Sequence, residues 1–219
     1  KRGQAVACVT ATRGEAGTQD EEKWPSATLG IVRQKELEAA LGQLGSVEHH
    51  WLTYSDGHCH QIADSQALQD LLTIVQNIRP NTIVTFPPDG ITGHFDHQAV
   101  SRWTRLVIQY CDWPIRLLYA VDTHEQYDKF IKSVDEVVNI YLNVEIPALV
   151  AEANADIVLH LSDDAIGAKV ASLKAMPSQT SGMFDNQGEE WFKKVFCCET
   201  FVDADRTDTV WNTRFLNQP

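Results

Sequence analysis

The chain has 219 residues, a hydrophobic fraction of 43% and a charged fraction of 22%, which suit a single globular domain over 1–219 with a sizeable core and argue against disorder. A formal net charge of -12 without clustered Lys and Arg disfavours a nucleic-acid partner. No apolar run approaches the roughly 20 residues of a membrane span and no signal-peptide pattern opens the chain, so a cytoplasmic protein with no membrane span is expected.

Taken in chain order, Gln4–Ala11 is a short apolar, β-branched run and predicts a buried strand, followed by the loop Arg13–Gly17. From Ser26 to Leu44, apolar residues at Leu29, Val32, Leu37, Ala40, Leu41 and Leu44 recur at helical spacing, with Gly45 as a stop. Val47–Tyr54 predicts a second strand. Ser65–Ile78 predicts a helix ending before Pro80, and Thr82–Phe86 a third strand. A Pro/Gly-rich loop leads into helical periodicity from Asp96 to Tyr110, and Ile115–Val121 reads as a strand. Later come a helix around Glu125–Val134, a strand near Ala155–Leu161 and a helix over Ser162–Ala175 with Asp163 and Asp164 suited to its first turn. Glu189–Asp203 closes with a short helix and a last strand.

Strand–helix alternation predicts an α/β fold: a Rossmann-like, doubly wound, mostly parallel sheet with helices on both faces. Ligands of such folds gather in the loops after strands, here Thr10–Gly17, Tyr54–Gly57 and Phe86–His97. No GxGxxG follows a predicted strand, which argues against a nucleotide-binding module. The five cysteines, Cys8, Cys59, Cys111, Cys197 and Cys198, are scattered without a CxxC spacing and are expected to be free thiols.

The loop Pro87-Pro88-Asp89-Gly90-Ile91-Thr92-Gly93-His94-Phe95-Asp96-His97 carries the most chemistry, because two imidazoles and a carboxylate fall within four residues. With Asp96 starting the helix, His94 lies just before it and His97 in its first turn, so both can address one cavity. Imidazole and carboxylate are natural zinc ligands and proton carriers. Alone, the pattern reads more simply as an N-cap aspartate between two partly exposed loop histidines. Thr12-Arg13-Gly14-Glu15-Ala16-Gly17 reads alone as a charged turn, Arg33 as a solvated or ion-paired helix residue, and Asp56-Gly57 as a turn. His58 and His60 around Cys59 read more simply as a polar loop than as a metal cluster, and Trp24 as a rim residue able to stack on a sugar ring.

Together, TRGEAG, Arg33 followed by KEL, Tyr54-Ser55-Asp56-Gly57 and GITGHFDHQAVS keep the order and approximate spacing of one family. From about Val6 to Gln179 the chain resembles the LmbE-like (PIG-L) family of zinc-dependent N-acetylglucosamine deacetylases. Lys174-Ala175-Met176-Pro177-Ser178-Gln179 is similar to that family's late K-A-H-x-S-Q element, with Met176 at the histidine, and Phe95 stands at the proline of HPDH. The resemblance implies a Rossmann-like hydrolase that removes the acetyl group from an N-acetylated amino-sugar conjugate by metal-activated water. It implies His97 as a zinc ligand (iron suits the same ligands), His94 as oxyanion stabiliser or acid for the departing amine, and Asp96 as the carboxylate that orients its neighbours. Arg33 and Asp56 match sugar-contacting positions, and Glu15 lies in the loop lining the pocket.

The family's opening strand ends in His-Pro-Asp-Asp-Glu, the source of two zinc ligands and the catalytic carboxylate, and this motif is absent from the 219 residues. Lys1 stands where the end of the following helix belongs, so the expectation is an upstream segment, or a partner chain, as in a homo-oligomer, in that place. The alternative function is a catalytically incomplete relative acting as a sugar-binding or assembly protein.

Overall fold

The computed structural model describes residues 3–18, 20–45, 47–141, 143–144 and 148–205. In chain order its main elements are β1 (Ala7–Thr10), α1 (Ser26–Leu44), β2 (Glu48–Trp51), α2 (Asp64–Ile78), β3 (Thr82–Thr85), α3 (Phe95–Ile108), β4 (Arg116–Ala120), α4 (Lys132–Val138), β5 (Ile157–His160), α5 (Asp163–Lys174), α6 (Pro177–Gln187), α7 (Glu189–Val195) and β6 (Cys198–Asp203). They fall into two compact units, Lys1–His58 with Leu161–Cys197 and Cys59–His160 with Cys198–Pro219.

In the first unit, β1 and β2 pair in parallel with Ala7 opposite Glu48 and Thr10 opposite Trp51, joined through α1. Pro25 in an extended conformation keeps the preceding chain out of the helix, and Gly45, at a φ of 118 that suits glycine, ends it where its N–H returns to the Leu41 carbonyl. α1 packs against α5. Ser162 caps α5 by accepting the Ala165 N–H, and Asp163 and Asp164 sit in its first turn beside the positive end of the helix dipole. α6 escapes the periodicity reading because its sequence is polar and interrupted by Gly182. Its one sequence signal is Pro177 at the first turn, where a missing N–H costs nothing. Phe192 of α7 is buried and stacks on Phe184 of α6.

The second unit is built on a sheet of order β3-β4-β6-β5 flanked by helices. β3 and β4 are parallel, with Thr82 opposite Arg116, whereas β6 runs antiparallel to both β4 and β5. The parallel strand–helix alternation is therefore present, and the larger sheet is mixed through its last strand. β6 carries the alternation of an antiparallel strand: Cys198, Thr200 and Val202 are buried, with Glu199, Phe201 and Asp203 less so. Arg116 of β4 pairs with Asp203 at 2.9 Å beside this register. Tyr119, Val121, Val150 and Val202 form a buried cluster over the strands.

α2 stops at Arg79, whose left-handed conformation turns the chain before Pro80 can clash with the helix. Arg79 also stacks over Trp113 at 4.3 Å. α3 lies on α2 through Trp103, which has no exposed surface and donates its indole N–H to Asp64 at 3.1 Å. The helix expected around Glu125–Val134 is a helical stretch in three parts: His124–Gln126, a π turn at Tyr127–Ile131, and α4. The π turn accommodates one extra residue, which a 3.6-residue reading does not register. No helix among the described residues is long and apolar enough to cross a membrane.

Candidate active site

In the first unit, the loop after β1 is shaped around one guanidinium. Arg33 of α1 donates to the carbonyls of Gly14 and Gly17, and its Nε reaches the Ser178 hydroxyl at 3.4 Å. A Cβ at Gly14 or Gly17 would lie 2.5 or 2.8 Å from the Arg33 Nη1, so a side chain at either position would displace the guanidinium, and Gly14 also holds a φ of +68 that favours glycine. Burial pulls the Arg33 guanidinium below its ordinary value, with Asp56 and Glu36 acting in the opposite direction.

The same loop is tied to the turn after β2. Asp56 accepts the Thr12 hydroxyl and the Ala16 N–H, both at 3.1 Å, and the Asp56 N–H donates to Glu15 Oε1 at 2.9 Å. The second Glu15 oxygen is buried without a hydrogen-bond partner among the described residues. Glu15, Arg33 and Asp56, which the family resemblance linked to substrate, are thus brought together in this unit. Glu36 extends the network: it accepts the Ser178 N–H at 2.8 Å and the Ser178 hydroxyl, placing a carboxylate at the N-terminus of α6. This contact explains the Ser178-Gln179 element and was not legible beforehand, although Glu36 inside an otherwise apolar stripe was a signal.

In the second unit, the loop after β3 closes into a tight turn at Gly90–Gly93 and then enters α3. Gly90 and Gly93 have φ of +74 and +73, and a Cβ on Gly93 would collide with Asn143 at 2.8 Å. Ile91 between them has φ 65 and ψ -62, close to the strained γ-turn values of about +75° and −65°. Such a conformation at a β-branched residue costs on the order of 1–3 kcal/mol and persists only where surrounding contacts enforce it. Here Ile91, Pro87, Val121 and Leu149 surround a small cavity beside Asp122, which accepts the Tyr141 hydroxyl at 2.6 Å.

α3 begins at Phe95, and its N-cap is His94 rather than Asp96: His94 Nδ1 accepts the Asp96 N–H at 3.2 Å. Asp96 lies in the first turn, 5% exposed, where its carboxylate accepts the Cys59 N–H at 2.9 Å and holds the short turn at Cys59–Gln61. His97 stacks on Phe86 with centroids 4.0 Å apart, and its Nδ1 lies 3.0 Å from the Gly90 carbonyl. The two imidazoles are 5.0 Å apart.

These hydrogen bonds fix opposite tautomers. A backbone N–H only donates, so neutral His94 has its lone pair on Nδ1 and its hydrogen on Nε2. A carbonyl only accepts, so His97 carries its hydrogen on Nδ1 and its lone pair on Nε2. One ring is therefore a donor at its outer nitrogen and the other is ligand-competent there. Of the other singled-out residues, His58 Nδ1 contacts the Asp56 carbonyl, His60 lies against Phe95, and Lys23 lies over the Trp24 ring. Among the described residues no group of three or more His, Cys, Asp or Glu is arranged to hold a metal. None of the five cysteines is in a disulfide.

A family model described as GlcNAc-PI de-N-acetylase (PIG-L) matches residues 1–108. Across 208 residues the chain is 31% identical to a 1D-myo-inositol 2-acetamido-2-deoxy-alpha-D-glucopyranoside deacetylase of Mycobacterium sp. (strain KMS), covering 83% of this chain and 67% of that protein. The chain belongs to the PIG-L (LmbE-like) family. A second PIG-L relative, bearing the same deacetylase name, from Corynebacterium jeikeium (strain K411), is 26% identical, with 81% of this chain and 69% of that protein covered. PIG-L architecture is also evident against solved structures. The N,N'-diacetylchitobiose deacetylase from Pyrococcus horikoshii matches with a TM-score of 0.59 at 20% identity, over 91% of this chain and 72% of that one. A zinc-inhibited form of a teicoplanin deacetylase matches with a TM-score of 0.64 at 15% identity, over 93% and 89%.

Proposed function

We propose that this PIG-L family member hydrolyses the N-acetyl group of an N-acetylglucosamine-type sugar conjugate, using metal-activated water. The observation that carries the reading is the pair of opposed tautomers at His94 and His97, 5.0 Å apart on a loop whose sequence matches the family. Amide hydrolysis needs both capacities. A lone pair must hold the metal, and an N–H must meet the charge that develops on the carbonyl oxygen.

His97 fits the part of one metal ligand, since its Nδ1–H is anchored on a backbone carbonyl and its lone pair lies on Nε2. A catalytic zinc site uses three protein ligands. The described residues supply no such group, and the family resemblance assigns the others to the His-Pro-Asp-Asp-Glu element. When bound, zinc (or iron on the same ligands) polarises the acetamide carbonyl and lowers the pKa of water. The protein's own contributions are distinct. His94 offers Nε2–H to the developing oxyanion, and Asp96 holds the neighbouring turn through Cys59. In the first unit, Glu15 belongs to the loop that the resemblance places at the sugar, Asp56 fixes that loop, and Arg33 clamps it at two carbonyls.

The deacetylase names of the relatives support the substrate class. The second reading is a sugar-binding relative without turnover. Metal analysis of purified wild type and His97→Ala tests the proposal: about one zinc or iron per chain is expected in the wild type and essentially none in the variant. Full metal content in His97→Ala removes His97 from the site.

A further inference from the structure

The strained residue in the His loop points to a device the site description leaves unexplained. The peptide joining Gly90 to Ile91 is held at both ends. Its N–H, on Ile91, donates to Asp89 Oδ1 at 3.2 Å, and its carbonyl, on Gly90, accepts from His97 Nδ1 at 3.0 Å. In a trans peptide these two groups point in opposite directions, so fixing one end aims the other. The aim is unusual: it requires Gly90 at φ +74 and Ile91 at φ 65, a conformation an isoleucine avoids when left to itself.

Other contacts enforce the arrangement. Asp89 is 2% exposed, and its carbonyl and that of Gly93 both accept from the Gln98 side-chain amide, at 3.3 and 3.2 Å. The Gly90 N–H returns to the Pro87 carbonyl at 2.9 Å. A Cβ on Gly90 would sit 2.9 Å from the His97 Cβ, so the backbone passes too close to His97 for any other residue to fit without movement.

We infer that Asp89 is a positioning residue for His97: its buried carboxylate clamps the N–H end of the Gly90–Ile91 peptide, and the carbonyl at the other end holds His97 with its hydrogen on Nδ1. Strain at Ile91 is the structural cost of turning that carbonyl onto the ring, and the hydrogen bonds around Asp89 sustain it. The effect is to keep the lone pair on Nε2 in the folded protein before any ligand arrives. The relay is a property of the loop itself. Its use in catalysis rests on the reading of His97 as a metal ligand.

The test is nitrogen-15 NMR of the His97 ring in metal-free full-length protein at about pH 8, where an ordinary histidine is neutral. Wild type is expected to show a single tautomer, with a pyrrole-type Nδ1 and a pyridine-type Nε2. Asp89→Asn keeps an acceptor oxygen and is expected to match it. Asp89→Ala is expected to lose the single tautomer and to lose hydrogen-exchange protection at the Ile91 amide. A wild-type ring protonated on Nε2, an asparagine variant that loses the tautomer, or a folded alanine variant that keeps it overturns the inference. Should Asp89→Ala fail to fold, the wild-type and asparagine spectra still decide. Because no metal is present, this result is separate from the metal content of His97→Ala: loss of the tautomer lock and loss of the ligand role are read independently.

Discussion

Replacing His94 with alanine is expected to slow acetyl removal roughly a hundred- to a thousand-fold, the span typical of a lost oxyanion-hole donor, while metal content stays at the wild-type level. The separation follows from the tautomers. His94 spends Nδ1 on the Asp96 N–H and carries its hydrogen on Nε2, so it acts as a donor, and its removal leaves the His97 lone pair in place. The side chain is also the N-cap of α3, and a lost cap costs about 0.5–2 kcal/mol of stability. Thermal unfolding monitored alongside turnover distinguishes the two effects, since loss of the cap alone leaves the rate of the folded enzyme untouched. Paired measurements of acetate release and metal content provide the check. An unchanged rate rejects the donor role.

Trp103→Ala is expected to destabilise the protein by about 3–5 kcal/mol, measured as a shift in the urea unfolding curve. Trp103 has no exposed surface and lies where α3 meets α2, so truncation leaves a large void that close-packed neighbours fill only in part. Its indole N–H donates to Asp64, which Arg102 also engages at 3.0 Å. Trp103→Phe keeps most of the apolar contact and forfeits that hydrogen bond, so about 0.5–1.5 kcal/mol of further loss belongs to the polar contact itself. A change below about 0.5 kcal/mol for the alanine variant, the range of ordinary surface substitutions, contradicts the central placement of this residue.

The helices were the most legible part of the sequence. α1 runs from Ser26 to Leu44 as its apolar spacing and Gly45 require, and α2 ends where Pro80 demands. Strand positions were legible to within a few residues, but strand direction was not, because periodicity reports which faces are buried and says nothing about which way a chain runs. The reversed β6 shows this, although its alternating burial was a hint. α6 was missed because a polar helix has no apolar stripe to reveal it.

At the site, residue types and spacing brought His94, Asp96 and His97 into view, while their roles depended on contacts no spacing contains. Asp96 was expected at the helix cap, and His94 takes that place. The partner of Asp96 is a backbone N–H at Cys59, far away in sequence. Asp89 looked like an ordinary loop residue, and only the φ of Ile91 and the two ends of one peptide set it apart. Arg33 read as a sugar contact by resemblance, and its guanidinium is engaged with the carbonyls of Gly14 and Gly17.

The most direct measurement is acetate release from an N-acetylglucosamine conjugate, such as the inositol glycoside named in the Mycobacterium relative, by the purified protein supplied with zinc. Acetate and free amine appearing in equal amounts, and abolished by a chelator, is the result a metal-dependent deacetylase gives. Saturable binding of the conjugate with no acetate released would contradict that function and leave a sugar-binding member of the PIG-L family.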